Sequence, residues 1–140
     1  MPQCCLAHEA DIRPGGVDIV MVWVALHDMN NPTTVLETAR SLLAPDGCVL
    51  VLEFTNPDNF TDLVNGATEE AKKLRPQTQF CLSVSVLHCL PVSKTIAPSQ
   101  AIGTSISLST IQKIASRAGF TNVSVFPANE TMSMYVLRKQ

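Results

Sequence analysis

Long apolar runs are missing from this sequence, and glycine, aromatic and charged residues are few. The longest uninterrupted apolar run, residues 19–26, has eight residues, whereas a helix that spans a bilayer needs about 20. No basic stretch followed by an apolar one opens the chain, so we expect no secretory signal. These absences predict a cytoplasmic protein without a membrane partner.

A surplus of positive charge is also missing. The chain carries 10 Lys and Arg against 12 Asp and Glu, which gives a net charge of −2 at pH 7. Binding to nucleic acid without sequence preference depends on a basic surface that displaces counterions, so we expect no nucleic-acid partner. The 140 residues, of which 46% are hydrophobic, can form one domain with a buried core.

The five cysteines do not follow the pattern of a disulfide scaffold. Their number is odd, and apart from Cys4 and Cys5 they are scattered along the chain, which predicts free buried thiols in a reducing compartment. Two groups of Cys and His lack the ligand spacing of a zinc knuckle. We therefore expect structural thiols and no metal site in either group: Cys4, Cys5 and His8, and Cys81, His88 and Cys89.

The clearest pattern that is present consists of an apolar stretch, a helix and a second apolar stretch. Residues 17–26 and 48–52 are almost continuously apolar, which is typical of strands buried on both faces of a parallel sheet. Between them, Asn31 can cap a helix with Pro32 in its first turn, and residues 45–47 end it with a turn. The three elements predict a βαβ unit with a right-handed crossover.

The middle of the chain, residues 55–105, has weaker patterns. We interpret it as a lid or a substrate-facing insertion, because a long segment between core elements often has that role. Residues 62–74 can form a helix in which Glu and Lys side chains are spaced so that they can form ion pairs. Residues 80–90 fit either a helix or a strand, and residues 91–99, with two prolines, predict a loop.

The end of the chain predicts one helix followed by two strands. Residues 109–112 match a capping box with Ser109 as the cap, and Gly119 ends the helix. Residues 120–126 and 132–137 predict two strands whose short connection makes them antiparallel.

Two polar side chains follow the apolar stretches of the βαβ unit. His27 comes after the first stretch and Glu53 after the second, and the carboxyl ends of parallel strands meet at one edge of a sheet, where ligands bind. A carboxylate beside an imidazole can fix its tautomer and leave one ring nitrogen free to accept a proton. The alternative interpretation is that His27 and Asp28 only end a strand and cap the following loop.

The order of the motifs resembles the second half of class I S-adenosylmethionine-dependent methyltransferases, from about residue 11 to the end of the chain. The motifs are VDIV at residues 17–20, LHDM at 26–29, LLAPDG at 42–47, VLVLE at 49–53 and AGF at 118–120. The resemblance implies an α/β fold: a partial Rossmann-like sheet of parallel strands with a C-terminal antiparallel pair. The segment LHCLPVS at residues 87–93 is similar to a subgroup of small methyltransferase-like proteins.

The same resemblance implies a function and a set of site residues. It implies transfer of a methyl group from S-adenosylmethionine to a small molecule, with His27 as the base that removes a hydroxyl proton and Glu53 as the carboxylate that orients it. Asp11 and Ile12 match the positions that meet the adenine ring, and Val24 lies where the strand passes the cofactor. Members of the subgroup often have Asp at the position of Val24.

One element of that family has no match in the sequence. The six glycines form no glycine-rich loop that leads from a strand into a helix, so we expect the 140 residues to bind S-adenosylmethionine weakly or not at all. A domain without its first strands leaves an unpaired sheet edge, which a second copy or a partner chain can complete. The alternatives are therefore a noncatalytic remnant that acts as an interaction or regulatory module and, third, a nucleotide-binding α/β domain of another kind.

Overall fold

A four-stranded mixed sheet is the framework of the protein in a computed structural model that describes residues 13–58, 69–104 and 106–139. Strand β1 (Val17–Trp23) runs parallel to β2 (Leu43–Phe54), and β3 (Asn122–Pro127) and β4 (Met132–Arg138) are antiparallel. The strand order is β1-β2-β4-β3, with β4 antiparallel to β2. The predicted α/β fold class, with parallel strands and a C-terminal antiparallel pair, is confirmed.

Two helices cover one face of this sheet and enclose the core. Helix α1 (Pro32–Leu42) is the crossover between β1 and β2, and its N-cap Asn31 accepts a hydrogen bond from the backbone N–H of Thr34 at 3.2 Å, as predicted. Helix α4 (Leu108–Arg117) packs beside α1. The core residues come from both helices and from the inward face of the strands, among them Val22, Leu36, Val49, Val51, Ile111, Ile114, Tyr135 and Leu137.

The outer face of β1 differs from what the sequence predicts. A strand covered on both faces was expected here, but only Val22 is buried, while Ile19, Met21 and Trp23 are between 54% and 60% exposed. Strand β2 is buried along almost its whole carboxyl-terminal half. The expectation of two-sided burial therefore holds for β2 and is wrong for the described surroundings of β1, which lies at the edge of the sheet.

Several element boundaries also differ from the predictions. Strand β1 ends at Trp23 rather than at residue 26, because Val24 adopts a left-handed φ of 48° and residues Leu26–Asp28 form a 3₁₀ turn. Strand β2 begins at Leu43, and its pairing with β1 is irregular before Cys48. The capping box at Ser109 is wrong, because Ser107 is the N-cap of α4 and the backbone N–H of Ser109 donates to Asp58.

The middle segment is helical where the structure describes it. Helix α2 (Glu69–Val84) continues through a π-helical turn (Ser85–Cys89) into the short helix α3 (Leu90–Ser93). The helical alternative for residues 80–90 is therefore correct, and the loop predicted for residues 91–99 begins only after Ser93. Part of the helix predicted at residues 62–74 lies outside the described residues. No helix in the described part of the chain combines the length and the apolar character needed to cross a membrane.

Candidate functional site

The site begins where β1 and β2 end at the same edge of the sheet. Trp23 pairs with Leu52, and the backbone N–H of Val24 donates to the carbonyl of Leu52 at 2.9 Å. The chain then turns sharply through the 3₁₀ turn, which the fully buried Leu26 anchors in the core. This turn directs His27 towards the last residues of β2.

Glu53 holds His27 at two points. The Oε2 atom of Glu53 lies 2.7 Å from Nδ1 of the imidazole, and Oε1 accepts a hydrogen bond from the backbone N–H of His27 at 3.3 Å. Glu53 is fully buried and His27 is only 3% exposed. An ionised carboxylate can only accept, so a neutral ring opposite an ionised Glu53 carries its proton on Nδ1 and leaves Nε2 free. The two residues that the sequence predicted at one edge are therefore in direct contact.

The charges around His27 act on its protonation. Burial lowers the pKa of His27, but the hydrogen bond to Glu53 and the negative charges of Glu53 and Asp28 outweigh that effect and raise the pKa above its ordinary value. A positive charge on the imidazole is therefore stabilised inside the protein. The site can store a proton on Nε2.

Asp28 lies on the other side of the ring. Its Oδ1 atom is 3.4 Å from Nε2 of His27, and this oxygen is buried without a hydrogen-bond partner among the described residues. A buried carboxylate oxygen that accepts no hydrogen bond is rare in proteins and calls for an explanation. Asp28 is also the most accessible member of this group, because its side chain is 33% exposed.

The π-helical turn covers the site from the middle of the chain. It brings the buried Cys89 close to His27 and Asp28, and Sγ of Cys89 lies 2.8 Å from Oγ1 of Thr104. Burial raises the pKa of the Cys89 thiol, and the Asp28 carboxylate raises it further. A Cβ at Gly103, where φ is +72°, would lie 2.0 Å from Oγ of Ser85, so this glycine allows the segment to pack against the turn.

Asn56 connects the end of β2 to the same segment. Its side-chain amide donates to the carbonyls of Thr104 and Ile106, both at 3.1 Å. Sequence analysis did not find Cys89, Thr104 or Asn56, because tertiary packing alone brings Cys89 to His27, Thr104 to Cys89 and Asn56 to Thr104. The available signals were the segment LHCLPVS at residues 87–93, which resembles a methyltransferase-like subgroup, and the thiol of Cys89, which we assigned to a structural role.

The predicted cofactor residues are only partly within the described structure. Asp11 and Ile12 lie outside the described residues, and Val24 is half-buried at the carboxyl end of β1. None of the described glycines leads from a strand into a helix: Gly15 and Gly16 precede β1, and Gly47, Gly103 and Gly119 stand alone. The described residues therefore do not fit S-adenosylmethionine by themselves, although Val24 and the site lie at the sheet edge where ligands of this fold bind.

Comparison with known proteins identifies the family. A family model described as a methyltransferase domain matches residues 5–125. The chain therefore belongs to this methyltransferase family, which confirms the resemblance to class I S-adenosylmethionine-dependent methyltransferases. No curated protein sequence matches the chain.

Solved structures show the same fold over almost the whole chain. Human N-acetylserotonin methyltransferase in complex with SAM matches 93% of the chain at 17% identity with a TM-score of 0.59. The trans-methyltransferase CalH in complex with SAH matches 94% at 19% identity and 0.58, and TnmH matches 93% at 19% identity and 0.62. The chain spans only about a third of the length of these proteins, namely 31% or 32%.

Proposed function

We propose that this chain forms the acceptor side of an S-adenosylmethionine-dependent methyltransferase, in which His27 removes the proton from a hydroxyl group of a small molecule. The observation that carries this proposal is the 2.7 Å contact between Nδ1 of His27 and Oε2 of Glu53 at the carboxyl end of two parallel strands. Family membership supports the reaction class.

The proton transfer needs a ring in one tautomer and one orientation. Glu53 supplies both, since one of its oxygens binds Nδ1–H and the other binds the backbone N–H of the same residue. Nε2 is then the only ring nitrogen that can accept a proton. When it does, the positive imidazolium lies between the carboxylates of Glu53 and Asp28, which stabilise it. The hydroxyl oxygen becomes a stronger nucleophile as its proton leaves.

The acceptor must enter from the side of Asp28. Nε2 is close to Asp28 and Cys89, and His27 is almost fully buried, so an acceptor hydroxyl reaches Nε2 only by replacing one of these neighbours. Asp28 is partly exposed, which makes it the entrance. In this proposal the insertion at residues 55–105 acts as a lid, since its π-helical turn supplies Cys89.

Calorimetry and a transfer assay test this function. We expect weak or no binding of S-adenosylmethionine to the 140-residue chain, because the described residues lack a glycine-rich loop, and micromolar affinity would contradict that expectation. In a form that transfers methyl groups to phenols or other hydroxyl compounds, His27→Ala should lower turnover about 10²- to 10⁴-fold, the usual contribution of a general base, with little change in donor affinity.

The exposed His88 provides a matched control for that substitution. His88→Ala should leave turnover unchanged, since its side chain lies outside the site. Turnover that survives His27→Ala intact would rule out His27 as the base.

A second candidate function is a noncatalytic interaction module whose sheet edge is completed by a second copy or a partner chain. It is favoured by the outer face of β1, where Ile19, Met21 and Trp23 are more than half exposed on an edge strand. Light scattering after size-exclusion chromatography should then report a dimer that Met21→Glu dissociates and Val125→Glu, on the opposite edge strand, does not. A monomeric wild-type chain would exclude self-association through this face.

The location in the cell is proposed from the thiols. Cys48, Cys81 and Cys89 are free and buried, as predicted, and this is typical of proteins in a reducing compartment such as the cytoplasm. Cys4 and Cys5 lie outside the described residues.

A further inference from the structure

Three side chains near the carboxyl ends of β1 and β2 have the chemistry of a transition-metal site. His27, Asp28 and Cys89 each offer one ligand atom, and a ring nitrogen, a carboxylate oxygen and Sγ all lie within 4.8 Å of one another. Nδ1 of His27 is held by Glu53, so Nε2 is the ring nitrogen left for an ion. We propose that these three residues bind a divalent ion of the zinc class. This goes beyond the proposed function and does not depend on it, since binding of the ion needs neither a methyl donor nor an acceptor.

The choice of ion follows from the donor atoms. Imidazole, carboxylate and thiolate together are typical ligands of Zn²⁺, whereas Mg²⁺ and Ca²⁺ prefer oxygen alone. A deprotonated Cys89 and Asp28 supply two negative charges that balance the charge of the ion. Three protein ligands leave a fourth tetrahedral position for water.

The geometry is close to what the ion requires. Bond lengths of about 2.0–2.3 Å in a tetrahedral zinc site place ligand atoms about 3.3–3.6 Å apart. Nε2 of His27 and Oδ1 of Asp28 are already 3.4 Å apart. Sγ of Cys89 lies within 4.8 Å of the other two ligand atoms, so on these bond lengths it has to approach by at most about 1.2–1.5 Å. The side chain of Asp28 is 33% exposed to solvent.

The surroundings of the three residues support the same assignment. Glu53 binds Nδ1 of His27 at 2.7 Å, and a carboxylate on the second ring nitrogen is the usual partner of a histidine that ligates zinc. Thr104 lies 2.8 Å from Sγ of Cys89 and can donate to a thiolate. The buried Oδ1 of Asp28, which accepts no hydrogen bond among the described residues, gains a partner when the ion binds.

Binding is a simple exchange of a proton for the ion. Bonds form from the metal to Nε2, Oδ1 and Sγ, the S–H bond of Cys89 breaks, and its proton goes to solvent. Because the ion occupies the lone pair of Nε2, it would inhibit the proton transfer described above. That consequence rests on the proposed function, whereas metal binding itself does not.

The test uses the reduced, chelator-treated 140-residue chain with Zn²⁺ or Co²⁺ as the only added ligand. We expect one ion per chain, tetrahedral Co²⁺ absorption with a thiolate charge-transfer band, and an X-ray absorption shell around Zn²⁺ with a single sulphur. Cys89→Ala should remove the thiolate band, and Glu53→Gln should weaken affinity about 10- to 100-fold.

Matched controls come from a second buried thiol and a second histidine. Cys48 lies at the start of the regular pairing between β1 and β2, whereas the site lies at its end. Cys48→Ser and His88→Ala should therefore leave metal binding unchanged. The proposal is overturned by absence of stoichiometric binding, by a thiolate band that survives Cys89→Ala, or by a shell with two or more sulphurs, which would point to Cys4 and Cys5. The X-ray absorption measurement uses the wild-type chain, so it decides the question even where a variant fails to fold.

Discussion

Replacing Glu53 with glutamine tests the contact on which the site depends. Glu53 is fully buried and accepts two hydrogen bonds from His27. Glutamine keeps one carbonyl oxygen and puts an amide NH₂ group where the second acceptor was, so one buried N–H of His27 loses its partner. A buried donor left without a partner costs about 1–3 kcal/mol, and we expect Glu53→Gln to lower the free energy of unfolding by about 2 kcal/mol on that basis.

A double-mutant cycle with His27→Ala separates this contact from general damage to the core. Without the imidazole, Glu53→Gln should cost much less, which gives a coupling energy of about 1–2 kcal/mol, within the range for residues in contact. Urea unfolding followed by far-UV circular dichroism measures all four proteins. Effects that add to within about 0.5 kcal/mol would refute the reasoning, because independent sites behave in that way.

The other predictions concern the segment that covers the site and the start of α4. Gly103→Ala should lower the free energy of unfolding by about 1–3 kcal/mol, since its Cβ would lie 2.0 Å from Oγ of Ser85. Gly15 has a similar φ and no atom within 4 Å of such a Cβ, so Gly15→Ala should lower the free energy of unfolding by less. Equal losses of stability in urea unfolding would contradict the packing argument. Asp58 accepts from the backbone N–H of Ser109, and its hydrogen bonds to Ser109 and Ser107 lower its pKa. The stability it contributes is therefore present above the ordinary value of 3.8 and lost as the pH falls through the lower folded value. Asp58→Asn should reduce this acid-induced loss in thermal melts recorded across that range, and an identical pH profile would show that the contact contributes nothing.

The sequence predicted the part of the site that the βαβ unit determines. Neighbouring parallel strands have their carboxyl ends on the same side of the sheet. The positions of His27 and Glu53, each directly after an apolar stretch, were therefore enough to predict that the two residues lie close together. The cap at Asn31 was also predictable, because its hydrogen bond is local. The catalytic role of the pair is not fixed by this geometry and stays a proposal.

Features that depend on distant parts of the chain could not be predicted. Cys89 is separated from His27 by 62 positions in the sequence, and only the packing of the π-helical turn brings them together. The capping error at α4 has a different origin: the cap is the local hydrogen bond from the backbone N–H of Thr110 to Ser107, and the prediction chose Ser109, whose N–H instead donates to the distant Asp58. The end of β1 depends on the left-handed backbone of Val24, which a β-branched residue rarely adopts.

The tautomer of His27 is the most direct measure of the site. Nitrogen-15 NMR of the ring in metal-free protein, at a pH where the imidazole is neutral, distinguishes Nδ1–H from Nε2–H. A proton on Nδ1 and a bare Nε2, with a change in both resonances on Glu53→Gln, is the result we expect. A proton on Nε2, or ring signals indifferent to residue 53, would contradict the proposal that His27 accepts a proton at Nε2.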